Sequence, residues 1–228
     1  MTTDREKKLE EALEQFIRPY KGIPFEVIVK ALCNVSVHKF DLDDPLNIAN
    51  LEKIREAMQL AGVAANKTPI QRPRPNEVGN DMEPFVVNAL KEVGFIASPP
   101  KTRAGKGKST GYPDVLILTK GTPIYLEVKT YAAANHQTTQ RSFYMSPTDD
   151  PKVNIDAYHL VVGFEVEDKG GNGNRDDRNR ELRNYCPAAF TLVDLYGMDC
   201  DMKSEFNSDN RQMYEAHRIL KQEKIALP

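Results

Sequence analysis

The feature that most constrains this chain is a pair of short apolar runs, residues 115–118 and 124–128, joined by Thr119-Lys120-Gly121-Thr122-Pro123. Val, Ile, Leu and Tyr fill both runs, as a pleated and half-buried surface favours. A Gly/Pro connection of this length predicts a hairpin with a longer loop. Charge interrupts the apolar pattern at Asp114, before the first run, and at Glu127 and Lys129 in the second. Residues two apart on a strand share a face, so Glu127 and Lys129 point the same way. Antiparallel pairing about the turn brings Asp114 near the far end of its partner. Two carboxylates and an ammonium then converge at one end of a small sheet.

Such a trio suits phosphodiester hydrolysis. Two carboxylates hold a hard divalent cation through oxygen, with waters completing an octahedral shell around Mg²⁺. The ion polarises the phosphoryl group and acidifies a bound water, while a lysine beside it offsets charge developing in the transition state. Pro113-Asp114, twelve intervening residues and Glu127-Val128-Lys129 resemble the PD-(D/E)xK nuclease superfamily. The resemblance implies catalytic roles for Asp114, Glu127 and Lys129. It also implies a metal site made by Asp114, Glu127 and the carbonyl of Val128, with Mg²⁺ as cofactor and Mn²⁺ as its substitute. A glutamate from the first core helix often joins that site; Glu83 is the matching position here and Glu77 the second choice. The alternative is a surface hairpin whose Glu127 and Lys129 are merely solvated.

Helical spacing organises the chain before the hairpin. Leu9, Ala12, Leu13, Phe16 and Ile17 line a helix from Asp4 to Arg18, and a second follows Pro24. Asp41-Leu42-Asp43-Asp44-Pro45 supplies cap and first-turn signals for a third, with Leu46, Ala49, Leu51, Ile54, Ala57, Met58 and Ala61 inward and Gly62 as its stop. Residues 68–76, TPIQRPRPN, read as a proline-punctuated connector. A fourth helix carries Val78, Met82, Phe85, Val86, Ala89, Leu90 and Val93, with Pro84 confined to its first turn. These signals divide the chain into a helical subdomain (1–67), a linker (68–75) and a nuclease core (76–228).

Basic and polar segments flank the trio. Lys101, Arg103, Lys106 and Lys108 lie in a glycine-rich loop without an acid, placed to meet DNA phosphates. After Lys129, the side chains of His136, Gln137, Gln140, Arg141 and Ser142 are of the kinds that read base edges. Polar contacts placed just past the catalytic lysine are similar to those of type II restriction endonucleases. Arg141-Ser-Phe-Tyr-Met-Ser-Pro147 resembles the NgoPII-like subgroup. Farther on, 158–166 predicts a buried central strand, 169–184 a mobile hydrophilic insertion, 190–196 a fourth strand and 208–223 a last helix. The sum is an α/β fold: a central mixed sheet of four to five strands flanked by helices.

Global properties narrow the function classes. A net charge of −2 neither requires nor excludes nucleic acid, since a local basic cleft suffices. Three cysteines without CxxC spacing read as reduced thiols. No apolar run approaches a membrane span and Met1–Arg18 is charged rather than signal-like, so a cytoplasmic protein of a bacterial or archaeal cell is expected. Neither GxxxxGK[ST] nor GxGxxG occurs, which predicts no nucleotide cofactor. The leading reading is a divalent-metal endonuclease of restriction type, a homodimer on a short palindrome of double-stranded DNA. A repair endonuclease or junction resolvase on the same core is the alternative. A non-catalytic DNA-binding protein is the third class.

Overall fold

The computed structural model describes residues 3–17, 20–135 and 143–202, and its main sheet is built on the hairpin. Strands β5 (Val115–Leu118) and β6 (Ile124–Tyr131) pair antiparallel, with Val115 opposite Leu126 and Ile117 opposite Ile124. Strand β7 (Ala157–Arg175) runs parallel to β6, and β8 (Glu181–Asp194) returns antiparallel to β7. A strand with neighbours on both sides suits the apolar run of β7. Short strands β2 (Val37–His38), β3 (Ile70–Arg72) and β4 (Ile96–Ser98) complete a seven-stranded mixed sheet of order β3-β8-β7-β6-β5-β4, with β2 beside β7. The expected mixed sheet is therefore present, enlarged by these short strands. Two-residue strands β1 (Ile23–Pro24) and β9 (Asp199–Cys200) lie outside it.

Alternation along β6 divides the work of the sheet. Ile124, Leu126 and Val128 join Leu160, Val162 and Phe164 of β7 in one core. That core also takes Ile54, Ala57 and Met58 of α3 (Pro45–Asn66) and Met82, Val86 and Leu90 of α4 (Gly79–Glu92). The alternate residues Tyr125, Glu127 and Lys129 fall on the opposite face. There Tyr125 packs on His159 at 5.1 Å between ring centroids, and Phe25 of α2 (Phe25–Cys33) lies 5.5 Å from His159. One face is thus a greasy floor and the other carries polar groups at its end.

Local signals are partly overridden by packing. Asp44 caps α3 as expected, accepting from the Leu46 amide at 2.8 Å. The helix then runs through Gly62 to Asn66. A glycine inside a helix costs only about 1 kcal/mol, and burial of Ala61 and Ala65 holds the last turns. Leu46 and Ala49 are exposed, while Asn47 and Asn50 are buried in their stead. Asn47 is satisfied there, donating to the Tyr158 hydroxyl at 3.0 Å and the Asp41 carbonyl at 3.1 Å. Pro84 lies in the second turn of α4, which begins at Gly79.

Two stretches expected to be irregular are ordered. Pro69 and Pro73 flank Ile70–Arg72 without interrupting it, so these residues pair with Tyr185, Asn184 and Arg183 of β8. The hydrophilic 169–184 segment continues the β7–β8 hairpin instead of forming a mobile insertion. Asp176 ties its turn, accepting from the amides of Arg178 and Arg180 at 3.0 and 2.8 Å and from the Arg180 guanidinium at 2.7 Å. Arg183 pairs with Asp168 across the strands. Side-chain to backbone bonds of this kind order a turn that composition alone marks as loose.

Residues 24–199 form one unit, and residues 1–23 with 200–228 form another. The second unit contains α1 (Asp4–Ile17), and in it Asp201 accepts from the Gly22 amide at 3.2 Å. The helix expected at 208–223 lies outside the described residues. Among the described residues no helix is long and apolar enough to cross a membrane. Cys33, Cys186 and Cys200 are free thiols.

The shared core makes a direct prediction. Ile54 is fully buried between α4 and the sheet, so Ile54→Ala should lower unfolding free energy by about 2–5 kcal/mol in a denaturant titration. A drop under about 1 kcal/mol would mean that α3 packs independently of the sheet.

Candidate active site

The β5–β6 register, extended by one residue, sets Asp114 opposite Glu127. Facing residues of an antiparallel pair share a side of the sheet, so the two carboxylates meet. The Val128 amide donates to Asp114 Oδ2 at 2.8 Å, fixing the aspartate against β6. Lys129 donates from Nζ to Glu127 Oε1 at 2.5 Å. Glu127 is only 4% exposed, and its second oxygen, Oε2, is buried with no hydrogen-bond partner among the described residues. A buried carboxylate oxygen without a donor is unfavourable unless something else binds there. Burial, with the Asp114 charge second, pushes Glu127 up to about 7 against the pull of Lys129.

Glu83 enters from α4. Burial first and Asp114 next push its carboxyl up to about 7, with Lys152 and Lys129 pulling the other way. The start of α4 packs against β6 at Gly79, with room for ordinary contact. A Cβ there would lie 3.6 Å from Thr130 Oγ1 and 3.9 Å from the Val128 carbonyl oxygen. Glu77 has a different partner: it accepts from the Arg180 guanidinium at 3.0 Å and so belongs to the β7–β8 hairpin. The structure thus gathers Asp114, Glu127 and Lys129, brings Glu83 within their field and engages Glu77 with Arg180.

Lys152, Tyr112 and His159 also belong to this site, and no motif in the linear chain marks them. Lys152 Nζ donates to the carbonyls of Gly111 and Pro113 at 2.7 and 3.0 Å. The Tyr112 hydroxyl lies 2.6 Å from His159 Nδ1, and burial pushes His159 down to about 3, keeping the imidazole neutral. The one hint was placement: Tyr112 directly precedes Pro113-Asp114, and Lys152 sits just ahead of β7 between Pro151 and Val153, both buried.

The basic loop is less pliant than its glycines imply. Thr102 is buried and accepts from the Lys106 amide at 3.1 Å, closing a turn that Gly105 completes at φ +77°. Asp150 and Pro151 accept from the Ala104 and Arg103 amides, each at 2.9 Å. The Arg103 guanidinium donates to the Cys33 carbonyl, whereas Lys101, Lys106 and Lys108 are exposed. Beyond β6, His136, Gln137, Gln140, Arg141 and Ser142 lie outside the described residues. Tyr144 sits with its ring 5.9 Å from Lys129 Nζ.

The donor set fits a hard divalent cation at Asp114 and Glu127, because carboxylate oxygens are the ligands such ions take and Glu127 Oε2 has no other partner. Among the described residues no three His, Cys, Asp or Glu side chains are grouped into a metal cluster. An ion here would rest on the two carboxylates and backbone oxygen, with Glu83 acting through its charge.

Known proteins match this chain over most of its length. Residues 19–217 match the family described as the type II restriction enzyme MjaV family. The chain belongs to that family. The protein named type II restriction enzyme MjaV, from Methanocaldococcus jannaschii, is 33% identical over 233 residues, covering 94% of each chain. No solved structure matches. The chain is a type II restriction endonuclease.

Glu83 yields a pH-dependent prediction. Its carboxyl titrates at about 7 in the fold against an ordinary 4.5, so the folded state keeps its proton longer and stability falls as pH rises between those values. With EDTA present, Glu83→Gln should therefore stabilise the protein at pH 8, by about 1 kcal/mol after solvent screening of a part-buried group. The gain should shrink as pH falls toward 4.5 and vanish by about pH 3.5, where the carboxyl is neutral in both states. Thermal melts at both pH values check this; destabilisation at pH 8 would contradict the assigned electrostatics.

Proposed function

We propose that this restriction endonuclease hydrolyses phosphodiester bonds of double-stranded DNA at a short palindromic site, as a homodimer, with a divalent cation held by Asp114 and Glu127. The observation that carries this reading is the facing pair of carboxylates whose Glu127 Oε2 has no hydrogen-bond partner among the described residues. The Val128 carbonyl is a further ligand, and Glu83 adds negative charge that favours cation binding. Mg²⁺ is the ion of choice and Mn²⁺ its substitute. When bound, such an ion polarises the phosphoryl oxygen and lowers the pKa of a water. The chain's own residues do the rest. The Val128 amide holds Asp114 in place, and Glu127 holds the Lys129 ammonium beside the carboxylates. Lys129 there offsets negative charge as it builds on the reacting phosphate. A protein two-fold matched to a DNA two-fold lets a chain of this size cut both strands.

A plasmid digest with Mg²⁺ tests the reading. Discrete fragments are expected, with no cutting in EDTA and no rescue by Ca²⁺, which accepts looser coordination. Asp114→Ala, Glu127→Ala and Lys129→Ala should each slow cleavage at least about 100-fold while largely sparing DNA binding. Near-wild-type cutting by any of the three would remove that residue from the site. A smear or structure-dependent nicking would favour a nuclease without sequence specificity.

The exposed lysines of the loop give a second test. Lys101, Lys106 and Lys108 are placed to hold phosphates, as is Arg103 through whatever reach its bond to Cys33 leaves it. Neutralising one of these side chains should weaken binding to all duplexes alike and flatten the salt dependence of log K by about 0.9 for each phosphate it no longer neutralises. His136, Gln137, Gln140, Arg141 and Ser142 are assigned to reading bases on their side-chain chemistry, where each bidentate pair is worth about 1–3 kcal/mol of discrimination. Titrations in Ca²⁺ on cleaved and scrambled sequences separate the two groups. Loop variants that alter site preference would reverse the assignments.

A further inference from the structure

Lys152 is the buried charge that neither the trio nor the family resemblance accounts for. It is only 5% exposed, and a buried ammonium is tolerated only when its donors are satisfied. Its acceptors are the carbonyls of Gly111 and Pro113, which bracket Tyr112 and lead directly into Asp114. Burial pulls the ammonium's pKa down, while Asp114, Glu127 and Glu83 hold it up, so all three carboxylates feel its charge. The same short segment grips the basic loop through Asp150 and Pro151. Tyr112 is braced separately, by His159 behind it.

We propose that Lys152 is a positioning residue for DNA cleavage: it clamps the peptide that carries Asp114 and offsets the Glu83–Asp114–Glu127 charge, without touching the reacting phosphate. The assignment rests on the site reading given above. Two of the three donors of the ammonium are spent on carbonyls on either side of Tyr112, so the turn cannot shift without breaking both. Neutral side chains at residue 152 would free that turn and leave the three carboxylates opposed, among the described residues, by Lys129 alone. Because a misplacement of about 1 Å can cost about 100-fold in rate, the effect should fall on kcat rather than on DNA binding.

The test compares wild type, Lys152→Met and Lys152→Ala on a plasmid with Mg²⁺, with Asp114→Asn run alongside and melting temperatures recorded. Both Lys152 variants should lose about 100-fold in kcat with KM within about threefold of wild type. Ethylammonium chloride should restore Lys152→Ala at least about tenfold and saturably, because it returns the charge to the vacated site; n-propanol, of like size but neutral, should not. The cavity beside Lys152, lined by Lys108, Tyr112 and Tyr144, gives the amine a way in. Lys152→Met cutting within about threefold of wild-type kcat would overturn the assignment. So would a rate defect that ethylammonium leaves untouched while the melting temperature falls, since that marks a structural role alone. If Asp114→Asn cuts like wild type, the site reading itself fails, and this assignment with it.

Discussion

Burial of Glu83 and Glu127 beside the charge of Asp114 is the constraint on which the rest of this structure turns. Burial first and the Asp114 charge next raise both glutamates to about 7, so the fold holds these two acids where their charged forms are disfavoured. Two carboxylates forced together in a poorly hydrated place are unfavourable for folding and well suited to binding a cation. The protein meets the strain with three donors: the Val128 amide on Asp114, Lys129 on Glu127 and Lys152 beside the turn. One oxygen, Glu127 Oε2, is left without any. Stability given up at a site is usually recovered elsewhere.

Here the recovery lies on the opposite face of the same strands. Leu126 and Val128 flank Glu127 in sequence and are buried in the main core against α3 and α4. Strand alternation therefore ties the catalytic face rigidly to a well-packed floor, and a shift by one residue would exchange the two faces. Behind the turn, the Phe25, Tyr112 and Tyr125 rings pack around the neutral imidazole of His159, edge to face, stacked and tilted in that order. Sites built on packed strands hold geometry better than sites built on loops.

The hairpin, the trio and the mixed sheet were legible in the sequence because each is written in local pattern: strand-type residues, a Gly/Pro turn and charges at alternate positions. The enclosing contacts are not local. Lys152 meets Gly111 across 41 residues of sequence, and His159 meets Tyr112 across 47. No periodicity reports such pairs. The order of 169–184 was hidden for a related reason. Asp176, Arg180 and Glu77 form a small network that fixes the hairpin, whereas composition registers only charge and glycine. In α3 the rule that apolar residues face inward failed at Asn47, whose partner Tyr158 lies on strand β7.

Asp114 and Glu127 are proposed to hold together the ion that serves cleavage. Anomalous scattering from crystals of the protein with duplex DNA and Mn²⁺ measures this directly. The account predicts a Mn²⁺ peak bonded to both Asp114 and Glu127, at oxygen distances of about 2.0–2.3 Å, beside a DNA phosphate. A peak on other residues, with these two carboxylates unbound, would contradict it.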